Sequence, residues 1–214
     1  MTPVYIRLSV PPEKLSATSS RFWGNPALPQ DMPFPVYGDV DGERPYVFLC
    51  QINLEEFAPY DADNRLPHTG LLSFFARIDP YLGYWTGTES IGGTVSGKDA
   101  VKVMYFPSCD GLVEVQPADS PDIPSVPSGL CMEFSLTSSG LQDDHAVFAS
   151  PVHRQWETWD PPFEDWVILL QADSFEGDDF SLDFMDVGVL DFLISPEDLE
   201  KCRFDDVRAI ILSS

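Results

Sequence analysis

Two short apolar runs between Trp166 and Leu199 constrain what this chain can fold into more than any other feature. The first reads Trp166-Val167-Ile168-Leu169-Leu170-Gln171-Ala172-Asp173. The second, beyond an acidic interval, reads Val187-Gly188-Val189-Leu190-Asp191-Phe192-Leu193-Ile194. Short runs rich in Val, Ile, Leu and Phe, split by Gly and Asp, read as neighbouring buried strands. Ser195 then offers a helix cap, with Pro196 at the first helical position and Glu197 and Asp198 at the positive end of the helix dipole. The same grammar occurs earlier, in Tyr46-Val47-Phe48-Leu49-Cys50-Gln51 and Gly70-Leu71-Leu72-Ser73-Phe74-Phe75. The repetition predicts two pseudo-repeated halves, roughly 46–78 and 166–199, sharing one core in a single domain over 1–214.

Twenty prolines and fourteen glycines call for many turns and short elements instead of long helices. No run approaches the roughly 18 apolar residues that span a bilayer, and no N-terminal signal pattern is present, so the expected location is cytoplasmic. Val4-Tyr5-Ile6-Arg7-Leu8 alternates like a strand and reads as a sheet edge. Cys50, Cys109, Cys131 and Cys202 are widely spaced. Two bridges are open to them in principle, but Cys50 sits inside an apolar strand, and free thiols in a reducing compartment are the favoured reading.

Charge is the strongest compositional fact: 35 acids against 12 bases give −23. Residues 1–107 hold 12 acids and 8 bases, whereas residues 108–214 hold 23 acids and 4 bases. Between Arg154 and Lys201 there are 14 acids and no Lys, Arg or His. Nucleic acid and anionic membrane are poor partners for such a surface; a basic protein or a cation is a better one. The alternative weight of the charge is solubility alone.

Several local features carry expectations. Pro11-Pro12-Glu13-Lys14-Leu15 suggests a helical turn, and the Pro- and aromatic-rich segment from Ser20 to Pro35 an extended stretch with Phe22 and Trp23 buried and Gly24 at a bend. Asn53 and Glu56 fit a capping box. Gly92 to Lys98 matches G-x-x-x-x-G-K, yet Asp99 stands where a phosphate loop needs Ser or Thr, and an alternating strand follows where that loop opens a helix. Leu112–Val115, Leu130–Leu136 and Phe204–Leu212 read as further strands, and Leu141–His145 as a helical turn. The proline-bearing connection 116–128 reads as extended surface chain.

The chemistry-bearing residues are few. Gln51 and Gln171 each end an apolar strand; they either lock an adjoining loop or line a pocket between the halves with Trp23 and Asp186. Asp173, Glu176, Asp178, Asp179, Asp183 and Asp186 crowd one loop with the oxygen ligands calcium favours but lack EF-hand spacing, so a solvated acidic loop with no metal is the expectation and a calcium binder the weaker alternative. His68, His145 and His153 adjoin no nucleophile motif, so no catalytic residue and no cofactor is expected. Trp156 and Trp159, in an irregular segment, either cover the core or anchor a partner.

Arg21–Pro29, Phe48–Leu54, Leu66–Phe75, Leu169–Asp173 and Asp186–Leu199 together resemble the YwqG-like family, an uncharacterised bacterial family, over about half of the chain. Phe184-Met185-Asp186 stands where the family usually has Trp-Gly-Asp, and Leu212 where it commonly has glutamine. The resemblance implies an α+β fold, mostly antiparallel β-sheet with a few short helices, and no established activity. Family members resemble proteins encoded near bacterial polymorphic-toxin genes, which implies an immunity protein that neutralises a basic toxin. The partner-binding residues expected on this reading are Trp156, Trp159, Asp160, Glu164, Asp165, Glu176, Asp178, Asp179 and Asp183. The alternative is a small-ligand module or enzyme using the pocket at Trp23, Gln51, Gln171 and Asp186.

Overall fold

A computed structural model of the chain describes residues 1–39, 42–78, 91–117, 126–138, 145–151, 159–176, 181–182 and 188–212. The apolar runs become strands of one ten-stranded sheet. In chain order these are β1 (Val4–Ser9), β2 (Arg21–Phe22), β3 (Val47–Asn53), β4 (Leu71–Ala76), β5 (Val101–Phe106), β6 (Leu130–Ser135), β7 (Ala146–Val147), β8 (Val167–Asp173), β9 (Val189–Ile194) and β10 (Arg208–Leu212). The spatial order is β10-β9-β8-β7-β1-β6-β2-β3-β4-β5. Each of these neighbours pairs antiparallel. Among the described residues helix is confined to α1 (Leu54–Phe57), α2 (Pro196–Glu200) and two single 3-10 turns.

Strand β1 is not the edge that its alternation suggests. It lies mid-sheet, with Tyr5 opposite both Ser135 and Ala146. A strand half-buried on one face looks the same at an edge or a centre until its partners are known, and these lie more than a hundred residues away. The true edges, β5 and β10, are drawn together by the chain leading to β5. Ile211 N–H donates to Gly92 O (2.9 Å), Ser96 N–H to Ala209 O (2.8 Å) and Ala209 N–H to Ser96 Oγ (2.9 Å). The sheet is thereby nearly closed and barrel-like, and backbone groups of β10 at Ala209 and Ile211 are paired instead of exposed. This use of Gly92 and Ser96, followed by the turn Lys98–Ala100 and then β5, is sheet closure and not a phosphate cradle.

Alternation along the strands separates three apolar clusters. The interior holds Ile6, Cys50, Ile52, Leu72, Phe74, Val103, Leu190, Phe192 and Ile211, with the Phe74 and Phe192 rings 5.3 Å apart. Outside, Leu28, Phe48 and Phe75 pack beneath Met32 and Phe34. Trp159, Ile168, Val189, Leu193 and Ile210 form the other outer cluster, against Phe163 and Trp166. Phe22 and Trp23 are buried as their segment predicts, and both Trp23 (φ 62) and Gly24 (φ 74) take left-handed backbone at the bend.

The helix caps follow the sequence with one change. Ser195 Oγ accepts from Asp198 N–H (3.1 Å), and Pro196 takes the first helical turn. Asn53 Oδ1 accepts from Glu55 N–H (3.0 Å), but Glu56 does not reach back to close a capping box. Ser20 occupies that place: its Oγ accepts from Asn53 N–H (2.9 Å) and its own N–H donates to Glu56 (3.0 Å). No helical turn forms at residues 11–15. The turn expected at Leu141–His145 lies, but for His145, outside the described residues. The four cysteines are unbridged thiols.

Candidate functional site

Three loops from distant parts of the sequence converge on one groove of about 660 Å³, lined by Asp63, Asn64, Arg65, Asp165, Ser195, Pro196, Glu197, Leu199 and Glu200. The first wall is built by Asp61. Its buried carboxylate accepts from the N–H groups of Arg65 (2.8 Å) and Leu66 (2.9 Å), folding the loop back on itself. Asp63, Asn64 and Arg65 are thereby held outward. Asp63 Oδ2 also accepts from Thr2 N–H (2.8 Å); that bond and the N-terminal charge hold its carboxyl below the usual range.

The second wall is the turn before β8. Trp159 is 4% exposed, and its indole N–H donates to Trp166 O (2.8 Å). Trp166 N–H closes back onto Phe163 O (2.9 Å), and the two rings meet edge to face at 4.9 Å. Trp159 is therefore an internal peg for this turn, not a free anchor, and the turn carries Asp160, Glu164 and Asp165 to the exposed surface. The third wall is α2. Leu199 is buried beneath it, while Glu197 and Glu200 face solvent. Glu197 is partly neutralised by Lys201 (2.5 Å) and Arg203 (3.4 Å), and Asp198 by Arg203 (2.6 Å). The Lys201 bond holds the Glu197 carboxyl below its ordinary range. Glu164, Asp165 and Glu200 form no ion pair among the described residues.

Of the residues expected to line a pocket, Trp23, Gln51 and Gln171 do not come together. Gln51 and Gln171 stand on strands five places apart in the ten-strand order, on opposite sides of the rolled sheet and on its outer face. Trp23 is packed in the core, its ring edge to face with Phe22 at 4.9 Å. Gln51 is a structural lock. Its Oε1 accepts from Ala27 N–H (2.9 Å) and its Nε2 donates to Ala17 O (2.8 Å) and Ser19 O (2.9 Å). Trp156, Asp178, Asp179, Asp183 and Asp186 lie outside the described residues. The backbone of Glu176 forms a short ribbon with residues 181–182.

The surroundings of Gln171 differ in chemistry. Asp191 is directly opposite it, and Asp173 lies two residues along on the same face. Asp191 is 0% exposed, and neither carboxylate oxygen has a hydrogen-bond partner. Burial first, and the Asp173 charge second, raise its carboxyl well above the usual carboxylate range. His145 adjoins this row: its Nδ1 accepts from Asp173 N–H (3.0 Å), which leaves any proton of the neutral ring on Nε2. Sequence reading placed Asp191 in a buried strand but gave no reason to expect an unpaired acid there.

Burial lowers His145 from 6.5 to about 4. The folded chain then resists a proton that the unfolded chain accepts, so this group's contribution is complete above pH 6.5 and is lost as the pH falls towards 4. The loss amounts to about 3 kcal/mol. Asp191 contributes with the opposite sign, since its raised carboxyl favours folding at low pH. The test is therefore a difference: His145→Asn, which keeps an acceptor near Nδ1, is expected to show a flatter decline in urea-derived stability across this window than wild type. Parallel curves for the two proteins would show that His145 does not titrate in this way.

A family model described as "Domain of unknown function (DUF1963)" matches the chain over residues 20–160 and 130–211. No curated protein matches it.

Proposed function

The chain belongs to this family of unknown function, and from that premise we propose that it is a protein-binding module whose acidic groove captures a basic segment of a partner. The observation that carries this reading is the composition of the groove: four of its nine lining residues are acidic and one is basic, and they come from three separate segments. Converging like charges repel one another, so a site that collects them is stabilised by an incoming cation. Leu199 and Pro196 add an apolar floor, suited to the aliphatic stem of Lys or Arg beneath its charged head. The base-free stretch between Arg154 and Lys201 supplies two of the walls. A toxin domain that presents a protruding basic segment is the partner class that fits best, with the chain acting as a cytoplasmic immunity protein among the YwqG-like members of the family.

We also read the sheet as two related halves, β2-β3-β4-β5 and β7-β8-β9-β10, flanking the central pair β1 and β6. Four features support this. Gln51 faces Ser73 as Gln171 faces Asp191, and the register slips at Leu49 as it does at Leu169. Trp23 and Phe148 both take positive φ, and their N–H groups donate to Leu49 O and Leu169 O. On this reading the groove lies between the halves, the place expected for a pocket, but with other residues lining it.

Octalysine is a suitable probe. An Asp165→Lys/Glu200→Lys variant is expected to bind it at least tenfold more weakly than wild type, a loss of about 1.4 kcal/mol or more. Glu13→Lys/Asp31→Lys, which changes net charge equally at exposed acids outside the groove, is expected to lose far less. Fluorescence anisotropy reads both. Equal losses would show that net charge alone attracts the peptide, and the groove would not be a site.

A further inference from the structure

We propose that Asp191, Asp173 and Gln171 form a binding site for a hard divalent cation of the calcium class on the outer face of β8 and β9. The register sets the three side chains on one face of two adjacent strands, Gln171 opposite Asp191 and Asp173 two residues further along β8. That face is otherwise apolar: Val189, Leu193 and Ile210 surround Asp191 and belong to the outer cluster capped by Trp159. A carboxylate buried among such side chains is costly unless something positive meets it. Among the described residues no Lys, Arg or His pairs with Asp191. Both Asp191 oxygens are buried without a hydrogen bond, and Arg208, diagonal to Asp191 on β10, pairs instead with Asp206 at 2.7 Å.

The corresponding row on the other side of the sheet shows what a purely structural solution looks like. There Gln51 faces the small neutral Ser73, and its amide is fully spent on the backbone of residues 17, 19 and 27. At Gln171 the facing residue is the acid Asp191 where Ser73 stands in the other row, and Asp173 occupies the place of Asn53. Carboxylate and amide oxygens are the ligand types that calcium prefers. No three Asp, Glu, His or Cys side chains among the described residues are placed to hold a metal by themselves; the proposed donor set is two carboxylates and the Gln171 amide oxygen, with the remaining positions left to water. The site stands apart from the acidic groove and does not depend on the docking proposal.

The test uses the full chain stripped with a chelator. Calcium chloride at a hundredfold excess over its dissociation constant is expected to raise the melting temperature by about 5–10 °C. Terbium, a calcium substitute, is expected to luminesce on excitation of Trp159 and Trp166, at one ion per chain. Asp191→Asn and Asp173→Asn are expected to lose both responses, whereas the groove variant Glu200→Gln keeps them. If Asp191→Asn does not fold, terbium stoichiometry on wild type and Asp173→Asn decides. No shift with calcium, or the same shift in wild type and Asp191→Asn, would overturn the proposal and leave Asp191 as a buried acid satisfied by a proton.

Discussion

A Gly70→Ala variant is expected to lose more than about 4 kcal/mol, enough to leave little folded protein. Gly70 is buried at the start of β4 with φ +94, a backbone region that an L side chain rarely enters. A Cβ there would sit 2.0 Å from the carbonyl oxygen of Phe106 and 2.8 Å from the carbonyl carbon of Pro107. Both obstacles are backbone, so no side-chain rotation relieves them. The end of β5 would have to leave β4, where Leu71 pairs with Phe106. The carbonyl of Gly70 also accepts from Leu54 N–H (2.9 Å) at the start of α1, so the damage spreads to the helix. Thermal unfolding followed by circular dichroism reads the effect. A melting temperature within about 3 °C of wild type would mean that the close approach at Gly70 does not exist in solution.

Gln51→Leu is expected to cost about 3–5 kcal/mol although leucine has similar size and greater hydrophobicity. The loss comes from what the amide leaves behind: the N–H of Ala27 and the carbonyls of Ala17 and Ser19, around a side chain that is 0% exposed. Ala17 O keeps its bond from the Arg21 guanidinium, which sets the cost below that of three full orphans. Gln51→Glu does not rescue, because its carboxylate keeps the Ala27 bond but turns an acceptor towards two carbonyls. Urea denaturation with an unchanged m-value is the readout. A loss under about 1 kcal/mol would show that Gln51 does not hold the 17–27 segment.

What the sequence made legible was local. Ser195 and Pro196 announce α2 because a cap and the first helical turn are settled within three residues. The apolar runs around Gln51 and Gln171 announce strands because burial on both faces leaves an unbroken hydrophobic stretch. Glu56 shows where this stops: the capping-box pattern was present, but Ser20, brought in from thirty-three residues away, took Asn53 N–H instead. The mid-sheet position of β1 depends on β6 and β7, which no local pattern names. The groove was illegible for the same reason, since Asp63, Asp165 and Glu200 are ordinary exposed acids until three loops meet. Trp159 could be read either as core cover or as an interface anchor, because its irregular segment shows no buried face; the fold makes it core cover, with its N–H on Trp166 O.

Carbodiimide cross-linking of octalysine to the protein, mapped by mass spectrometry, addresses the docking groove most directly, because it records which carboxylates the cation touches. Links concentrated on Asp63, Asp165 and Glu200, and suppressed by salt, are the predicted result. Links spread evenly over exposed acids such as Glu13, Asp31 and Asp110 would contradict it.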